Sequence, residues 1–357
     1  MRSVRLFAAL GAALVVTACQ TSGAPSPTSA AAPATVAPAK PTPPPAPSAA
    51  ASPAAAPSPK PAASALAAGP KPAASPAAAA SPVAKPTIKV ASFNFDESEI
   101  LQELYAQILE ANGYTIERHT RLGTREIVEP ALESHQIDLV AEYLATLDAF
   151  VEKDKAKATS DASFTQKAIR DALSSKGLTV LSFAQAIDTN GFVVTKATAD
   201  KYKLAKMSDL EPVASQLILG GPPECPQRPF CLIGLQKTYG LQFNDFKPLD
   251  SGGPLTVTAL ESGDIDVGLL FTTDPNITLK NYTLLVDDKH LQLADNVAPV
   301  ITSSYLSSNP DIEQDLALVT VALTTSDLTD MNKQVGIDHK DAKVVAKAYL
   351  QSKQLIQ

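Results

Sequence analysis

The sequence predicts an α/β protein made of two similar lobes that face each other across a cleft. The string Ala-Leu-Glu-Ser-x-x-Ile-Asp occurs at Ala131–Asp138 and again at Ala259–Asp266. Each copy fits a helix end, a turn and a buried strand, and each is followed at the same distance by an aromatic residue, Tyr143 or Phe271. Because ligands of open α/β sheets bind outside the carboxyl ends of the strands, each lobe should offer one aromatic side chain to a shared cleft. A coincidence between two ordinary strand–helix units is the alternative.

Alternating and helical spacings of apolar residues predict the elements of lobe one. Ile88–Ser92 alternates like a strand, and the apolar residues after Asp96 lie on one face of a helix that stops at Gly113. The further predicted elements of this lobe are a strand at Thr115–Thr120, a helix from Gly123 to Ser134, a strand at Ile137–Ala141 and a helical stretch near Asp161–Lys176. This alternation of strands and helices is typical of a parallel sheet covered by helices.

Lobe two is predicted from the same kind of pattern. Its predicted elements are a crossover strand at Gly191–Thr195, helices at Met207–Val213, Leu232–Tyr239 and Leu255–Ser262, and strands at Gln216–Leu219, Phe246–Pro248 and Ile265–Leu270. A return crossover at Val297–Ile301 then leads to two amphipathic helices, Pro310–Thr325 and Asp341–Gln354. We expect these two helices to pack the chain back onto lobe one.

The first 18 residues have the composition of a secretory signal. Arg2 and Arg5 precede the apolar run Leu6–Val16, which is shorter than the ~20 residues that a membrane-spanning helix needs. Cys19 follows Val-Thr-Ala, a sequence that resembles a bacterial lipobox. We therefore expect residues 1–18 to be a lipoprotein signal peptide and Cys19 to be lipidated. A plain signal peptide followed by a chance cysteine is the alternative.

Residues 19–86 are expected to be the lipidated cysteine followed by a disordered tether. Residues 20–86 hold 18 of the 29 prolines and contain no acidic and no aromatic residue. Such a composition buries too little apolar surface to offset its chain entropy, so it favours a partly extended spacer. The segment would then be a tether that crosses a cell-wall layer. Neutral drift of a low-complexity sequence is the alternative, and it predicts the same disorder.

The remaining 271 residues, 87–357, are long enough for a large core or two lobes. They carry all 37 acidic residues and 24 of the 30 basic ones, so their formal charge is 24 − 37 = −13. Nucleic-acid binding requires a basic surface, and this charge argues against it. No apolar stretch after residue 18 is long enough to span a membrane.

Cys225 and Cys231 form an even pair once Cys19 is set aside for lipidation. Disulfides persist in exported proteins, and a bridge here would close a short proline-stiffened loop that carries Arg228. Such a bridge should stabilise the fold by roughly 2–3 kcal/mol. Two free thiols are the alternative, and zinc is disfavoured because the four histidines are scattered: His119, His135, His290 and His339.

Several short motifs occur in a definite order along the globular part. They are Ala91–Leu101, Leu122–Glu126, Ile137–Tyr143, Gly263–Val267, Asp287–His290 and Ala298–Val300. In this order they resemble the substrate-binding proteins of ABC importers for glycine betaine, choline and osmoprotectants. The resemblance implies the two-lobed type II periplasmic binding fold with two crossovers. Lobe one would comprise about residues 87–188 and 302–357, and lobe two about residues 196–295.

The resemblance also implies a ligand site, because the family surrounds a quaternary ammonium with aromatic side chains through cation–π attraction. Tyr143, in a Glu-Tyr-x-x-Thr context that ends at Thr146, and Phe271 correspond to two positions of this cage. Asn190 and Asn296 stand where the family has tyrosines, which should weaken betaine binding. Tyr143 and Phe271 as ordinary core aromatics are the alternative.

Three further residues complete the expected site. Arg228 keeps the family's spacing of four residues after a glutamate, Glu224, and its guanidinium suits a bidentate contact with a ligand carboxylate. Phe93 replaces a lysine that is common after the first strand, and Asn94 follows it in the same loop. Arg228 as a surface salt-bridge partner is the alternative.

The function implied by the resemblance is that of an extracytoplasmic solute-binding subunit, anchored to a bacterial membrane as a lipoprotein. Its expected partners are glycine betaine, choline or a related compatible solute, an ABC permease and its ATPase. We expect a monomer without cofactor or metal. An enzyme is disfavoured, because no Ser/His/Asp set, metal cluster or Gly-rich phosphate loop can be assembled. A different polar solute and a ligand-sensing lipoprotein without a transport role remain open.

Overall fold

The structure, a computed structural model, describes residues 85–357. The expected signal peptide at residues 1–18, the expected lipidation at Cys19 and all but the last two residues of the expected tether at 19–86 lie outside the described residues.

The strands of the described region fall into two five-stranded sheets. In chain order they are β1 (Thr87–Phe93), β2 (Thr115–Gly123), β3 (Leu139–Tyr143), β4 (Leu178–Val180), β5 (Asn190–Val194), β6 (Ile218–Gly221), β7 (Asp245–Pro248), β8 (Val267–Phe271), β9 (Thr283–Leu284) and β10 (Val297–Thr302). The first sheet has the order β2-β1-β3-β10-β4 and the second has the order β7-β6-β8-β5-β9. We call the units built on them lobe one and lobe two.

The two sheets share one topology. In lobe one, β1 is parallel to β2 and β3, and β10 is antiparallel to β3 and β4. In lobe two, β6 is parallel to β7 and β8, and β5 is antiparallel to β8 and β9. The antiparallel strand of each sheet follows a segment that arrives from the other lobe, so the predicted crossovers near Gly191 and Val297 are present as β5 and β10.

The sequence repeat forms the same local structure in both lobes. The carbonyl of its first alanine, Ala131 or Ala259, accepts hydrogen bonds from the amides five and six residues later and so ends a helix. Its final aspartate, Asp138 or Asp266, accepts a 2.9 Å hydrogen bond from a backbone amide of the adjacent parallel strand. The repeat therefore ends a helix, starts the next strand and fastens that strand to its neighbour.

Helices cover both faces of the sheets. In chain order they are α1 (Asp96–Ala111), α2 (Arg125–Glu133), α3 (Leu144–Glu152), α4 (Ala162–Ser174), α5 (Lys196–Tyr202), α6 (Leu232–Tyr239), α7 (Pro254–Ser262), α8 (Asn276–Leu279), α9 (Ser303–Ser308), α10 (Asp311–Ala322), α11 (Thr325–Gly336) and α12 (Ala342–Ser352). In lobe one, α1 and α10–α12 pack on one face and α2–α4 on the other. In lobe two, α5 and α6 lie opposite α7. Side chains of a strand alternate between these two covered faces.

Two predicted helices differ from the structure. The expected helix at Pro310–Thr325 ends at Ala322, because the Thr324 side chain caps a separate helix, α11, in a reciprocal contact with Asp327. The expected helix at Met207–Val213 is only a short 3₁₀ turn at Met207–Leu210. In both places, hydrogen bonds of the capping residues set the helix ends, although the spacing of apolar residues predicts a longer helix.

Two segments, residues 181–189 and 285–296, connect the lobes and run side by side. Ile187 forms an isolated antiparallel bridge with Asn296, and the amide of Asp188 donates to the carbonyl of Asp295 at 3.2 Å. Adjacent connections of this kind are suited to hinge motion between lobes. None of the helices between residues 85 and 357 combines the length and the apolar composition that crossing a membrane requires.

Candidate ligand-binding cleft

A cleft of about 990 Å³ lies between the two lobes. Its lining includes Phe93 and Tyr143 at the carboxyl ends of β1 and β3, and Phe271 at the carboxyl end of β8. This is the position that ligands of open α/β sheets occupy, and its volume is within the range of small-molecule sites. The repeat thus brings its two aromatic residues into one cavity, one from each lobe.

An aromatic cluster connects the two lobes inside the cleft. The ring of Phe95 lies 5.2 Å from the ring of Phe271 and 6.3 Å from the ring of Tyr143, measured between centroids. Phe93 stacks on Phe95 at 6.0 Å. Phe95 was not among the predicted site residues, although it follows Phe93 and Asn94 in the same loop, and Asn94 also lines the cleft. An aromatic residue two positions after the end of the first strand is the signal that could have identified Phe95.

The hydroxyl of Tyr143 is held by a buried carboxylate, Glu97. Tyr143 donates to Glu97 Oε1 at 2.7 Å, while Oε2 accepts from Thr273 of lobe two at 2.6 Å and from Asn332 at 2.7 Å. Burial raises the pKa of Glu97, although these three hydrogen bonds act in the opposite direction. Glu97 therefore orients the aromatic ring and also joins lobe one to lobe two.

Arg228 also spans the cleft. It follows a short 3₁₀ turn in a loop that the Cys225–Cys231 disulfide closes, with Cα atoms 5.2 Å apart. Its Nη2 atom donates to Glu126 of lobe one at 2.8 Å, and its buried Nε atom has no hydrogen-bond partner among the described residues. Burial, and then the charge of Arg125, lower the pKa of the guanidinium. Arg228 thus retains a donor that a ligand could use.

A second arginine, Arg125, lines the cleft and was not predicted. Its guanidinium binds Glu142 through two nitrogens, at 2.9 and 2.7 Å, and lies 5.0 Å from the ring centroid of Phe93. Burial opposes the charged form, yet the charge of Glu142 raises the pKa of Arg125. The Glu142 side chain is 0% exposed, so Arg125 is held in the cleft lining by a fully buried partner.

Three polar residues predicted for the site have different surroundings. Thr146 lines the cleft, but its amide and hydroxyl donate to Asp295 at 2.8 and 2.6 Å. Asn190 lines the cleft and donates to the Phe230 carbonyl at 3.0 Å. Asn296 does not reach the cavity: it is 5% exposed and donates to the carbonyl of Ala184 at 2.9 Å between the connecting segments. Its place in the bridge with Ile187 directs its amide to the contact between the connecting segments, and the structure does not place Asn296 among the residues that line the cleft.

Metal-binding groups are not part of this cleft. Within residues 85–357 no three His, Cys, Asp or Glu side chains come together in a group that could hold a metal ion.

Comparison with known proteins identifies the family. Residues 86–352 match the family model described as the substrate-binding domain of ABC-type glycine betaine transport systems. The chain belongs to this family. It is a substrate-binding subunit of an ABC transporter, and the family predicted from the motifs is confirmed.

Individual relatives agree with this assignment. The glycine betaine-binding protein YehZ of Escherichia coli K12 is 27% identical over 275 residues, which cover 74% of this chain and 90% of YehZ. The carnitine transport binding protein OpuCC of Listeria monocytogenes is 25% identical over 277 residues, covering 75% of this chain and 87% of OpuCC.

Solved structures show the same fold. A crystal structure of a glycine betaine/carnitine/choline ABC transporter protein superimposes with a TM-score of 0.61 at 24% identity, covering 76% of this chain and all of that one. Lactococcal OpuAC, in its closed form with glycine betaine, superimposes with a TM-score of 0.54 at 14% identity, covering 76% of this chain and 97% of that one. The predicted two-lobed periplasmic binding fold is therefore confirmed.

Proposed function

We propose that this protein captures glycine betaine, choline or a related compatible solute between its lobes and delivers it to an ABC permease and its ATPase. The observation that carries the proposal is the aromatic cluster of Phe95, Tyr143 and Phe271, which unites both lobes in the cleft. The relatives named for glycine betaine and carnitine support the same class of solute. An aromatic face contributes about 0.5–2 kcal/mol to binding a desolvated organic cation.

Arg228 is the proposed anchor for a solute that also carries a carboxylate. Its unpartnered Nε atom and its place in the lining of the same cleft as the aromatic cluster support this role. A guanidinium fork matches the two oxygens of a carboxylate, so betaine and carnitine would use Arg228 while choline would not.

Calorimetric titration of the purified protein with glycine betaine, choline and carnitine tests the proposal. Phe95→Leu and Phe271→Leu keep apolar volume and remove one aromatic face each, so each should weaken binding about 2- to 30-fold. Phe164→Leu is the matched control, because Phe164 is 51% exposed on α4 and is not part of the cleft lining. Absence of binding for all three quaternary ammonium solutes would refute the proposed function.

We further propose that the protein is held at the outer face of a bacterial membrane through acyl chains on Cys19. The Val-Thr-Ala-Cys sequence and the proline-rich composition of residues 20–86 support this. Cys19→Ala should move the protein from the membrane to the soluble fraction, since stable anchoring depends on the acyl chains. Retention of that variant in the membrane fraction would contradict the anchor.

A further inference from the structure

Two buried carboxylates lie beside the aromatic cluster without a positively charged partner. Asp188 is 4% exposed and Glu97 is 3% exposed. Their hydrogen-bond donors are neutral groups: Thr272 and Thr273 for Asp188, and Tyr143, Thr273 and Asn332 for Glu97. In residues 85–357 no ion pair or hydrogen bond joins a basic side chain to either carboxylate. This corner of the cleft therefore holds two carboxyl groups whose hydrogen-bond donors are all uncharged.

Only Asp188 of this pair lines the cleft. Its Oδ1 atom accepts from the Thr272 hydroxyl at 3.0 Å and from the Thr273 amide at 3.1 Å, and in residues 85–357 no hydrogen bond reaches Oδ2. Both oxygens of Glu97, in contrast, are bonded to neighbouring side chains. Asp188 thus keeps an acceptor oxygen for the ligand space.

Among the described residues, three of the five basic residues that line the cleft are paired with other carboxylates, and the remaining two, Lys153 and Lys237, form no hydrogen bond with Asp188. Arg125 is paired with Glu142, Arg228 with Glu126, and Lys176 with Glu133. A buried carboxylate without a countercharge pays a desolvation penalty that a proton or a bound cation removes. A cationic solute bound in the cleft would therefore take the place of the proton on Asp188.

We infer that Asp188 supplies the countercharge for the cationic head of the solute and makes the cleft select a compact organic cation over a neutral group of the same shape. The inference rests on the proposed function, since it assigns the solute to the same cleft. The head would lie between the carboxylate and the faces of Phe95, Tyr143 and Phe271. Because this attraction needs no anionic group on the solute, choline-like cations without a carboxylate belong to the recognised class.

The ionisation of Asp188 links this selection to pH. The titratable groups that influence it are Glu97 from α1 and Tyr143 from β3, whereas Asp295 on the adjacent connecting segment contacts it through the backbone and binds Thr146 with its carboxylate. Burial, and then the charge of Glu97, raise the pKa of Asp188 well above its usual value. A bound cation favours the ionised form, so binding should release a proton and strengthen as the pH rises through the raised pKa.

The test compares choline with its neutral carbon isostere, dimethylbutanol, in the wild-type protein and in Asp188→Asn. Asparagine keeps the shape and one acceptor oxygen but removes the charge. Choline affinity should fall at least about 10-fold, because unit charges a few ångströms apart attract strongly at an effective dielectric near 20. Binding of dimethylbutanol should change little, so the preference for choline should collapse.

Proton release provides a second readout that a merely structural role would not change. Calorimetry near pH 7 in buffers of different ionisation enthalpy should show release of up to about one proton on choline binding by the wild-type protein, and none in Asp188→Asn. Asp171→Asn is the matched control, because Asp171 is an exposed residue whose side chain pairs only with Lys167. It should behave like the wild-type protein.

The possible failures are distinguishable. If the wild-type protein binds no quaternary ammonium compound, the proposed function fails. If choline binds but Asp188→Asn keeps the same choline preference, or keeps the proton release, Asp188 is not the countercharge while the proposed function stands. If Asp188→Asn does not fold, a choline-to-dimethylbutanol affinity ratio in the wild-type protein that stays constant with pH would overturn the inference.

Discussion

Lobe one and lobe two share a scaffold but hold their cleft residues in different ways. Both sheets place an antiparallel strand beside three parallel ones, and both use an aspartate of the repeat to fasten neighbouring strands. In lobe one the cleft residues Tyr143 and Arg125 are tied to buried carboxylates. In lobe two Arg228 extends from a disulfide-closed loop and pairs with Glu126, whose side chain is 48% exposed. Lobe one is thus organised by buried polar contacts, and lobe two by a covalent constraint.

The largest expected contrast concerns the two arginines. Arg125→Ala leaves Glu142 fully buried without its partner, so the free energy of unfolding should fall by ~3–5 kcal/mol. Arg228→Ala breaks a pair with a half-exposed carboxylate, so stability should fall by about 0–1 kcal/mol even if ligand affinity drops. Urea unfolding of both variants measures the difference. Equal losses of unfolding free energy in the two variants would show that the two arginines do not differ in their contribution to stability.

A smaller effect is expected for the disulfide of lobe two. Joint replacement Cys225→Ser with Cys231→Ser should lower the free energy of unfolding by roughly 2–3 kcal/mol, because the unfolded chain regains the freedom of the closed loop. Binding of carboxylate solutes should weaken as well, since Arg228 loses its constraint, while choline binding should be less affected. Scanning calorimetry compares the stability of the disulfide-bonded wild-type protein with that of the doubly substituted protein. Titration calorimetry compares their affinities for betaine and choline. Unchanged betaine affinity would separate the disulfide from the site.

The smallest expected difference lies in the repeat itself. Asp138→Asn and Asp266→Asn each weaken one charge-assisted hydrogen bond to a strand amide, at 2.9 Å in both lobes. Each should therefore cost about 0.5–1.5 kcal/mol, and the two costs should match. Chemical unfolding of both variants measures the two losses of stability, and each variant is the control for the other. A discrepancy larger than about 1 kcal/mol would indicate that the two scaffolds are not equivalent.

The placement of Tyr143 and Phe271 could be predicted because the information is local. A strand that follows a repeated helix exit determines which end of the sheet its last aromatic residue reaches, and that end is where ligands bind. The two arginines of the cleft show where prediction from the sequence stops. Arg228 was expected in the site from its spacing, whereas Arg125 and its partner Glu142 were not, because seventeen residues separate them and only the packing of α2 beside β3 brings them together.

Asn296 shows that a position along the sequence does not determine where a side chain points. It precedes β10 as expected, but its side chain turns into the contact between the two connecting segments and bonds the Ala184 carbonyl, 112 residues away. Phe95, which was passed over, supplies the aromatic face that joins the lobes. Side-chain direction at a crossover depends on the neighbouring segment, and a linear pattern carries no information about that segment.

The sequence by itself determined the two α/β lobes, the family and the pair of aromatic residues at equivalent strand ends, because apolar period, turn residues and the repeat act over a few neighbouring positions. Only the tertiary structure decided which charges are paired and which are not. Glu97, Asp188, Arg125 and Arg228 each gain or lack a partner from a distant part of the chain. Burial then sets the cost of each unpaired charge, and burial is a property of the folded chain as a whole.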